Sequence, residues 1–388
     1  MTNSIHSDRL NTVRVAARRF ENSPFQAKWL NPDTVMGVYA GRYYSVYNGE
    51  DVEAGYWALR RKAVIYDVPE RPVEISGPDA ERFLEHVFAR KVSMLKEGRG
   101  RYAIACDHCG KLFMDGVLFK LASQRYWYVQ PDGALETWLH AHGAGFDVTV
   151  SDPKSRVLQI QGPGSFAIMQ AATDGALTDS MGYFHSGFFR IAGQEVYISR
   201  TGWTGELGYE IYTQGAATDC PKLWDHLMSV GKPHGMIFGS ISSMEIRRIE
   251  GGILDTGTDF DMSMTPFEAG LDAFVDLDKE NFIGRNSLLL APRGVKRLFG
   301  LKCADGIPGY REQVVESANA VGHVTAGAWS PYLKSGIGYV RFNTPGNWAG
   351  RKLAVKTTEG KAFDCEILDL PFYDAEKRIP RGLDKTIP

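Results

Sequence analysis

Two segments of this chain repeat one pattern, and the repeat limits the possible folds more than any other feature of the sequence. Residues 73–78 and 158–163 both alternate apolar and polar side chains, and both end in Gly-Pro. Each is followed by a helical pattern, over 79–89 and 164–172. The first of these carries one apolar stripe, made by Ala80, Phe83, Leu84, Val87 and Phe88. Proline is favoured in the first turn of a helix, because its missing N–H would be unpaired there. The pattern predicts two α+β units produced by an internal duplication. A common strand-to-helix turn used twice is the alternative.

The chain around these units continues to alternate strands with helices. A hairpin is expected over 112–121 and 126–130, and two more strands, 196–199 and 209–213, flank a glycine-rich loop. A helix is expected over 221–230. Another should begin at a Ser240 cap and run to about Glu250, where Gly251 and Gly252 follow.

After residue 292 the pattern changes to short β-prone runs separated by turn residues. These runs are 297–301, 320–325, 337–342, 352–357 and 363–368. They predict a small all-β, barrel-like domain. A chain of 388 residues usually forms two or three domains. We therefore expect an N-terminal arm (1–55) packed on the core, a region of two α+β units (56–291) and a C-terminal barrel (292–388).

Charge and apolar content exclude several classes of function. The formal net charge is −2 and no basic run occurs, so no nucleic-acid partner is expected. No apolar run approaches the roughly 20 residues of a membrane span, and the N-terminus lacks the apolar core of a secretory signal. The five cysteines are few and odd in number, which favours reduced thiols and a cytoplasmic protein. Cys106 and Cys109 form a lone C-x-x-C without the second pair that a zinc site needs, so no metal is expected.

The loop of residues 200–210 is the strongest candidate for chemistry. Its sequence is Arg-Thr-Gly-Trp-Thr-Gly-Glu-Leu-Gly-Tyr-Glu. Glu210 and Tyr212 share one face of the following strand, opposite Tyr209 and Ile211. A carboxylate in that position can accept two parallel hydrogen bonds from a planar N–H pair, and Trp203 offers a flat apolar surface. A solvated hairpin is the alternative interpretation of these residues alone.

The same loop resembles the R-T-G-Y-T-G-E-x-G-x-E signature of the folate-binding aminomethyltransferase family, which includes the T-protein of the glycine cleavage system. Further matches follow in the family's order, at residues 63–68, 110–115, 161–163, 248–252, 265–271, 282–285 and 322–327. Together they cover roughly residues 56 to 388. The resemblance implies an α+β fold of three domains in a cloverleaf around a central folate channel, with tetrahydrofolate as cofactor.

The resemblance also implies roles for matched residues. Glu210 would hold the pterin edge of the folate, with Tyr212 beside it, and Trp203 would pack on the folate. Asp115 matches an aspartate beside the reacting folate nitrogen and is the catalytic candidate. Arg248 matches an arginine that helps to anchor the folate. For Arg248, an ion pair with Glu245 on the same predicted helix is the alternative.

Departures from the family signature indicate a branch. Met114 replaces the first aspartate of the family's Asp-Asp pair, tryptophan stands at 203 in place of tyrosine, and more than 50 residues precede the first matched strand. Segments 18–20, 23–25 and 44–48 of this arm, and 248–254 after the loop, are similar to the dimethylsulfoniopropionate demethylase branch of the family. The sequence Thr204-Gly205-Glu206, in contrast, matches the T-protein form of the loop motif.

The sequence therefore predicts a tetrahydrofolate-dependent methyltransferase that demethylates a small molecule and forms 5-methyltetrahydrofolate. The donor would be a sulfonium, a quaternary or methylated amine, or a methoxy compound. Aromatic faces favour cations, so Tyr44, Tyr47 and Trp57 are candidate substrate contacts, with ordinary core packing as the alternative. Two other functions stay open: an aminomethyltransferase that acts on a lipoyl carrier protein, and a non-catalytic folate-binding regulator.

Overall fold

A computed structural model describes residues 20–388, and two β-sheets form the centre of the fold. The six-stranded sheet consists, in spatial order, of β10 (Ser186–Ile191), β11 (Gln194–Ser199), β12 (Gly208–Tyr212), β9 (Val157–Gln161), β3 (Val64–Val68) and β13 (Ile237–Phe238). The five-stranded sheet consists, in spatial order, of β5 (Arg99–Cys106), β6 (Leu112–Ala122), β7 (Arg125–Gln130), β4 (Arg71–Ser76) and β8 (Thr149–Ser151). Strands β3 and β4 are consecutive in the chain but belong to different sheets, so the short link between them crosses from one sheet to the other.

The helices are α1 Gln26–Trp29, α2 Val52–Arg61, α3 Ala80–Val87, α4 Leu135–His142, α5 Ser165–Ala172, α6 Cys220–Gly231, α7 Ile241–Glu250 and α8 Arg285–Leu290. Strands of the N-terminal half are β1 Thr34–Tyr39, β2 Arg42–Asn48, β3 Val64–Val68, β4 Arg71–Ser76, β5 Arg99–Cys106, β6 Leu112–Ala122, β7 Arg125–Gln130, β8 Thr149–Ser151 and β9 Val157–Gln161. The later strands are β10 Ser186–Ile191, β11 Gln194–Ser199, β12 Gly208–Tyr212, β13 Ile237–Phe238, β14 Lys296–Cys303, β15 Gln313–Glu316, β16 Asn319–Ser330, β17 Ser335–Gly346, β18 Lys352–Lys356 and β19 Ala362–Leu368.

The repeated strand–Gly-Pro–helix pattern is present in both sheets, as β4–α3 and β9–α5. Gly77 and Gly162 have positive φ, and a Cβ on either would lie within 2.7 Å of a backbone oxygen, so only glycine fits. Each predicted helix start was one residue too early. Each proline lies in the turn, and the helices begin two residues later, because Asp79 and Gly164 occupy the N-cap positions.

The C-terminal strands close into a six-stranded barrel with the order β14-β17-β16-β15-β18-β19, which confirms the predicted all-β domain. Its interior is filled by inward-facing apolar residues, including Phe299, Leu301, Val340 and Ile367. A barrel leaves no unpaired edge, so each short strand finds two neighbours without help from the rest of the chain.

The described part of the arm packs against the six-stranded sheet. The Trp29 ring stacks on Phe238 at 5.7 Å between centroids, and its Nε1 donates to Asp67 at 2.8 Å. After α1 the chain forms the β1–β2 hairpin. Residues 1–19 of the predicted arm, with Arg14, Arg18 and Arg19, lie outside the described residues.

Helix α7 joins the parts of the molecule, and it contacts α2, β2 and the barrel strands β16 and β17. Arg247 and Arg60 both pair with Glu206 of the glycine-rich loop, at 2.7 and 2.8 Å. Glu250 accepts hydrogen bonds from Tyr56 of α2 and, across the domain boundary, from Ser330 of the barrel. A buried ionic network of this kind is costly to break, because removing one partner leaves a buried charge unpaired. It fixes the loop and the barrel relative to α7.

Within residues 20–388, no helix is long and apolar enough to cross a membrane.

Candidate functional site

The glycine-rich loop connects β11 to β12 and folds tightly over β9. A Cβ on Gly202 or Gly208 would come within 2.1 Å of the Gln161 side-chain oxygen, so a larger residue at either position would have to displace the Gln161 amide. Thr204 Oγ1 donates to the same Gln161 oxygen at 2.8 Å. The loop therefore enters β12 in a fixed register, with Glu210 opposite Ser199 on one side and Gln159 on the other.

Glu210 lies on the strand face that the alternation predicts. Tyr209 and Ile211 pack in the apolar core beneath the sheet, while Tyr212 belongs to a second cluster on the opposite face. The Glu210 carboxylate is buried, and burial raises its pKa. Hydroxyl donors oppose this shift: Tyr212 donates to Oε2 at 2.7 Å, and Thr201 donates to the same oxygen. Gln159 Nε2 donates to the other oxygen at 2.9 Å, which leaves Gln159 Oε1 buried and without a partner among the described residues.

Asp115 lies on β6 and is held by two hydroxyl groups, one on each carboxylate oxygen. Tyr102 donates to Oδ2 at 2.6 Å, and Thr256 donates to Oδ1. Burial raises the pKa of Asp115, and the two hydrogen bonds lower it. The Tyr102 ring is itself fixed edge-to-face on Phe274, with centroids 4.6 Å apart. Asp115 is thus oriented by a strand neighbour and by the loop that follows α7.

Arg248, at the end of α7, forms ion pairs with two carboxylates. Its Nη1 lies 2.6 Å from Asp259, and its Nη2 pairs with Glu245, so the ion pair considered as an alternative is present. Asp259 also accepts from Thr325 of the barrel at 2.7 Å. The Arg248 guanidinium lies 5.1 Å from the centroid of the Trp203 ring. Its Nε has no partner within residues 20–388. Arg248 therefore links the glycine-rich loop, the α7 loop and the barrel.

Tyr39 and Asp255, which were not predicted as site residues, add two titratable groups to the site. Tyr39, at the end of β1, donates from its hydroxyl to Asp255 at 3.3 Å. Burial and the charges of Asp255, Glu70 and Asp115 all raise the Tyr39 pKa. Burial raises the pKa of Asp255 to about 6, and the charge of Arg248 opposes this. The hairpin of the arm thus packs a tyrosine against the carboxylates around Asp115.

The three aromatic residues predicted to contact the substrate occupy different places. Tyr44 packs edge-to-face on Tyr39, and burial with the nearby charge of Asp255 raises its pKa. Tyr47 is half-buried on the same strand, where a β-bulge interrupts the register.

Trp57 lies on α2, where its ring packs edge-to-face on Tyr56. The Arg61 guanidinium lies over the Trp57 ring, 3.9 Å from the ring centroid. Trp57 Nε1 donates to Glu53 at 3.2 Å. None of these three neighbours, Tyr56, Arg61 and Glu53, is hydrogen-bonded to Asp115 or Asp255. The contacts of Tyr44 thus support a place near the site, whereas those of Trp57 do not.

Tyr102, Thr256, Tyr39, Glu70 and Asp255 were missed because each depends on tertiary structure. Tyr102 is two residues from Ile104, the direct cross-strand partner of Asp115, so only the strand register reveals it. Thr256 and Asp255 come from a loop more than 130 positions away in the chain. The one available signal was the run of polar residues after Gly251 and Gly252.

The Cys106–Cys109 pair shows no sign of a shared role. Cys106 is buried on β5 and Cys109 is exposed, and both are free thiols. Burial raises the pKa of Cys106, which makes it a poor nucleophile. In the part of the chain from residue 20 onward, no group of three histidine, cysteine or acidic residues is arranged to hold a metal ion.

Comparisons with known proteins cover nearly the whole chain. Residues 27–279 match the model of the GCVT N-terminal domain, and residues 296–374 match that of the glycine cleavage T-protein C-terminal barrel domain. An aminomethyltransferase of Caldanaerobacter subterraneus is 30% identical over 335 residues, covering 84% of this chain and 88% of that protein. An aminomethyltransferase of Alkaliphilus oremlandii is 31% identical over 334 residues, covering 84% and 90%. The crystal structure of glycine cleavage system aminomethyltransferase T from Bartonella henselae superposes with a TM-score of 0.82 at 22% identity, covering 92% of this chain and 98% of that one.

Proposed function

Because this chain belongs to the glycine cleavage T-protein family, we propose that it transfers a one-carbon group between tetrahydrofolate and a second substrate at the site around Asp115. The family consists of one-carbon transferases that bind tetrahydrofolate. One observation carries the proposal for this chain: contacts run without a break from Asp115 to the glycine-rich loop. They pass from Asp115 through Thr256 to the α7 loop, then through Asp259 and Arg248 to Trp203.

The residues present fit a folate. Among residues 20–388, Gln159 Oε1 is a buried acceptor without a partner, and it lies beside the acceptor oxygens of Glu210. Arg248 Nε is a buried donor without a partner in the same part of the chain, next to the ring of Trp203. A pterin has N–H donors on one edge, a carbonyl acceptor and a flat face, so these groups match its chemistry. Glu210, Gln159, Trp203 and Arg248 would hold it.

Bound tetrahydrofolate supplies the nitrogen nucleophile that accepts the one-carbon unit. The chain supplies orientation and charge balance. Asp115 would stand beside the positive charge that develops during transfer, and Tyr102 and Thr256 would keep its carboxylate in one orientation. Pre-positioned charge of this kind lowers the barrier because it needs no reorganisation during the reaction. The buried surroundings exclude water and strengthen the interaction.

The relatives are named aminomethyltransferases, and these names favour an aminomethyl donor over demethylation of a small molecule. The sequence had predicted demethylation, with aminomethyl transfer as the alternative. We therefore infer that the donor is an aminomethyl group on a lipoyl carrier protein. Demethylation of a small molecule is the second candidate, and it rests on the arm. The β1–β2 hairpin places Tyr39 and Tyr44 against Asp255, which is an arrangement suited to a small cationic donor. Met114, in place of the usual aspartate, removes a group for proton transfer.

Product analysis tests both candidates in one experiment. The full chain is incubated anaerobically with tetrahydrofolate and either an aminomethylated lipoyl carrier or a panel of sulfonium, quaternary ammonium and methoxy donors. Mass spectrometry then separates 5,10-methylenetetrahydrofolate with released ammonia from 5-methyltetrahydrofolate. Asp115→Asn is the test variant and Asp364→Asn, an exposed aspartate on the barrel, is the matched control. Folate binding without turnover of any donor would leave only the regulatory function.

A further inference from the structure

Glu70 lies on the link between β3 and β4, where the chain passes from one sheet to the other. Its main-chain carbonyl is fixed by Arg42, whose Nη1 donates to it at 2.8 Å. The side chain is different: Oε2 is buried and has no hydrogen-bond partner among residues 20–388. A buried carboxyl oxygen without a partner is costly, so its presence calls for a structural or functional explanation.

The surroundings of Glu70 have an excess of negative charge. Glu70, Glu210, Asp115 and Asp255 are all buried or half-buried, and none of them forms an ion pair within the described residues. Arg248, at the end of α7, is already shared by Glu245 and Asp259. Arg42 faces Glu70 from β2, but it contacts the carbonyl rather than the carboxylate.

Glu70 lies close to Tyr39, because Arg42, which donates to the Glu70 carbonyl, is the cross-strand partner of Tyr39 in the β1–β2 hairpin. Burial raises the pKa of Glu70 to about 8, the charges of Glu210 and Asp255 add to the increase, and the charge of Arg42 opposes it. The charge of Glu70 in turn raises the pKa values of Tyr39 and Tyr212. Glu70 is thus placed between the glycine-rich loop and the arm hairpin, and a bound cation would relieve the repulsion.

Aromatic rings complete the surroundings. Tyr39 and Tyr44 pack edge-to-face at 6.4 Å, and Tyr39 directs its hydroxyl to Asp255. The faces of aromatic rings attract cations, and carboxylates add a long-range attraction. The pteridine ring of a folate carries no positive charge, so it does not account for the charge excess.

We propose that Glu70 recognises the positive charge of the one-carbon donor, together with Asp255 and the rings of Tyr39 and Tyr44. This inference rests on the proposed function, and it applies to both candidate donors, since an aminomethyl group is protonated and an onium donor is permanently charged. It excludes uncharged methoxy compounds as the preferred donor. Glu70 is a specificity-determining residue in this proposal, and folate binding does not depend on it.

Simple cations test the charge recognition without any turnover. Binding of tetramethylammonium, which represents onium donors, and methylammonium, which represents the aminomethyl group, is measured on the full chain by ligand-observed NMR. tert-Butyl alcohol is the uncharged control of similar shape. We expect at least one cation to bind the wild type and the alcohol not to bind. Glu70→Gln should weaken cation binding by about tenfold or more, as loss of a contact to a charged group does. Glu359→Gln, an exposed glutamate paired with Lys361, should change nothing.

The pH dependence provides a second readout. Between pH 6.5 and pH 8.5, the wild type should bind the cation more tightly as Glu70 ionises, and Glu70→Gln should show a flat profile. Asp255, whose pKa is about 6, is already mostly ionised at the lower end of this window. The other titratable or charged groups that face Glu70 are Glu210 and Tyr212 from β12, Tyr39 from β1 and Arg42 from β2.

Tetrahydrofolate binding separates this inference from the proposed function. Calorimetry should give the same tetrahydrofolate affinity for wild type and Glu70→Gln, within about twofold. If the wild type binds no tetrahydrofolate, the proposed function is wrong whatever the cations do. If neither cation binds the wild type, if Glu70→Gln binds them as well as wild type does, or if the variant loses tetrahydrofolate affinity instead, the assignment of Glu70 is wrong.

Discussion

Replacing Tyr102 with phenylalanine removes one hydroxyl from Asp115 and leaves the rest of the site in place. The hydroxyl donates to Asp115 Oδ2 at 2.6 Å, within the range of strong hydrogen bonds to a carboxylate. The ring packs edge-to-face on Phe274, and phenylalanine preserves this contact. Tyr102→Phe is therefore a change in electrostatics at a nearly constant volume.

The size of the effect follows from the hydrogen bond. A bond to a charged group contributes about 1.5–3 kcal/mol, and one pKa unit corresponds to about 1.4 kcal/mol. The bond stabilises the ionised form of Asp115, so its loss raises the Asp115 pKa by about 1–2 units. If transfer needs the carboxylate, the acidic limb of the pH–rate profile moves to higher pH by that amount.

The assay is the pH dependence of kcat with the donor identified by product analysis, measured from about pH 5 to pH 9. Tyr126→Phe is the matched control, because Tyr126 is also buried on the five-stranded sheet but donates to Glu81, away from the site. A uniform loss of rate at every pH, with an unmoved acidic limb, would refute the idea that Tyr102 tunes Asp115.

Four further predictions follow from the same site. Tetrahydrofolate should raise the melting temperature, since a ligand at 100 times its Kd adds about 2.7 kcal/mol to the native state; no shift at saturation would contradict folate binding. Glu210→Gln should weaken folate binding by about 1.5–3 kcal/mol in calorimetry, and unchanged affinity would mean that this carboxylate does not contact the ligand. Asp115→Asn should lower single-turnover transfer by about 10²–10⁴-fold for an aminomethyl donor, which needs proton transfer, and much less for an onium donor; equal losses for both donors would remove this distinction. Glu70→Gln should become more stable than the wild type as pH rises. The pKa of Glu70 is about 8 in the folded state and about 4.3 in the unfolded state. The stability that protonated Glu70 contributes at low pH is therefore lost as the pH rises from about 4.3 to about 8. The difference should reach about 2–4 kcal/mol near pH 8.5 in urea unfolding, and a difference that does not change with pH would contradict the assigned burial.

Local patterns predicted most of the secondary structure. The hairpin of β6 and β7, the strands on either side of the glycine-rich loop and five of the six barrel strands form where alternation and turn residues placed them, whereas β15 was not predicted. Helix starts were less well predicted, because Pro78 and Pro163 mark the turn before the helix rather than its first residue. Ser240 occupies the N-cap position of α7, yet its hydroxyl donates to Glu50 and accepts no hydrogen bond from the backbone N–H groups of the helix.

The sequence by itself determined the family, the two α+β units, the barrel and the strand face of Glu210. These depend on spacing along the chain, and alternation or a glycine at a forced turn expresses that spacing directly. Tertiary structure alone decided what surrounds the chemistry. Asp115 receives its hydroxyls from Tyr102 and Thr256, and the charges of Glu70 and Asp255 raise the Tyr39 pKa from two other elements. Charges and hydrogen bonds act through space over a few ångströms, whereas these residues are separated by up to 216 positions in the chain, so no local pattern could reveal their effect on one another.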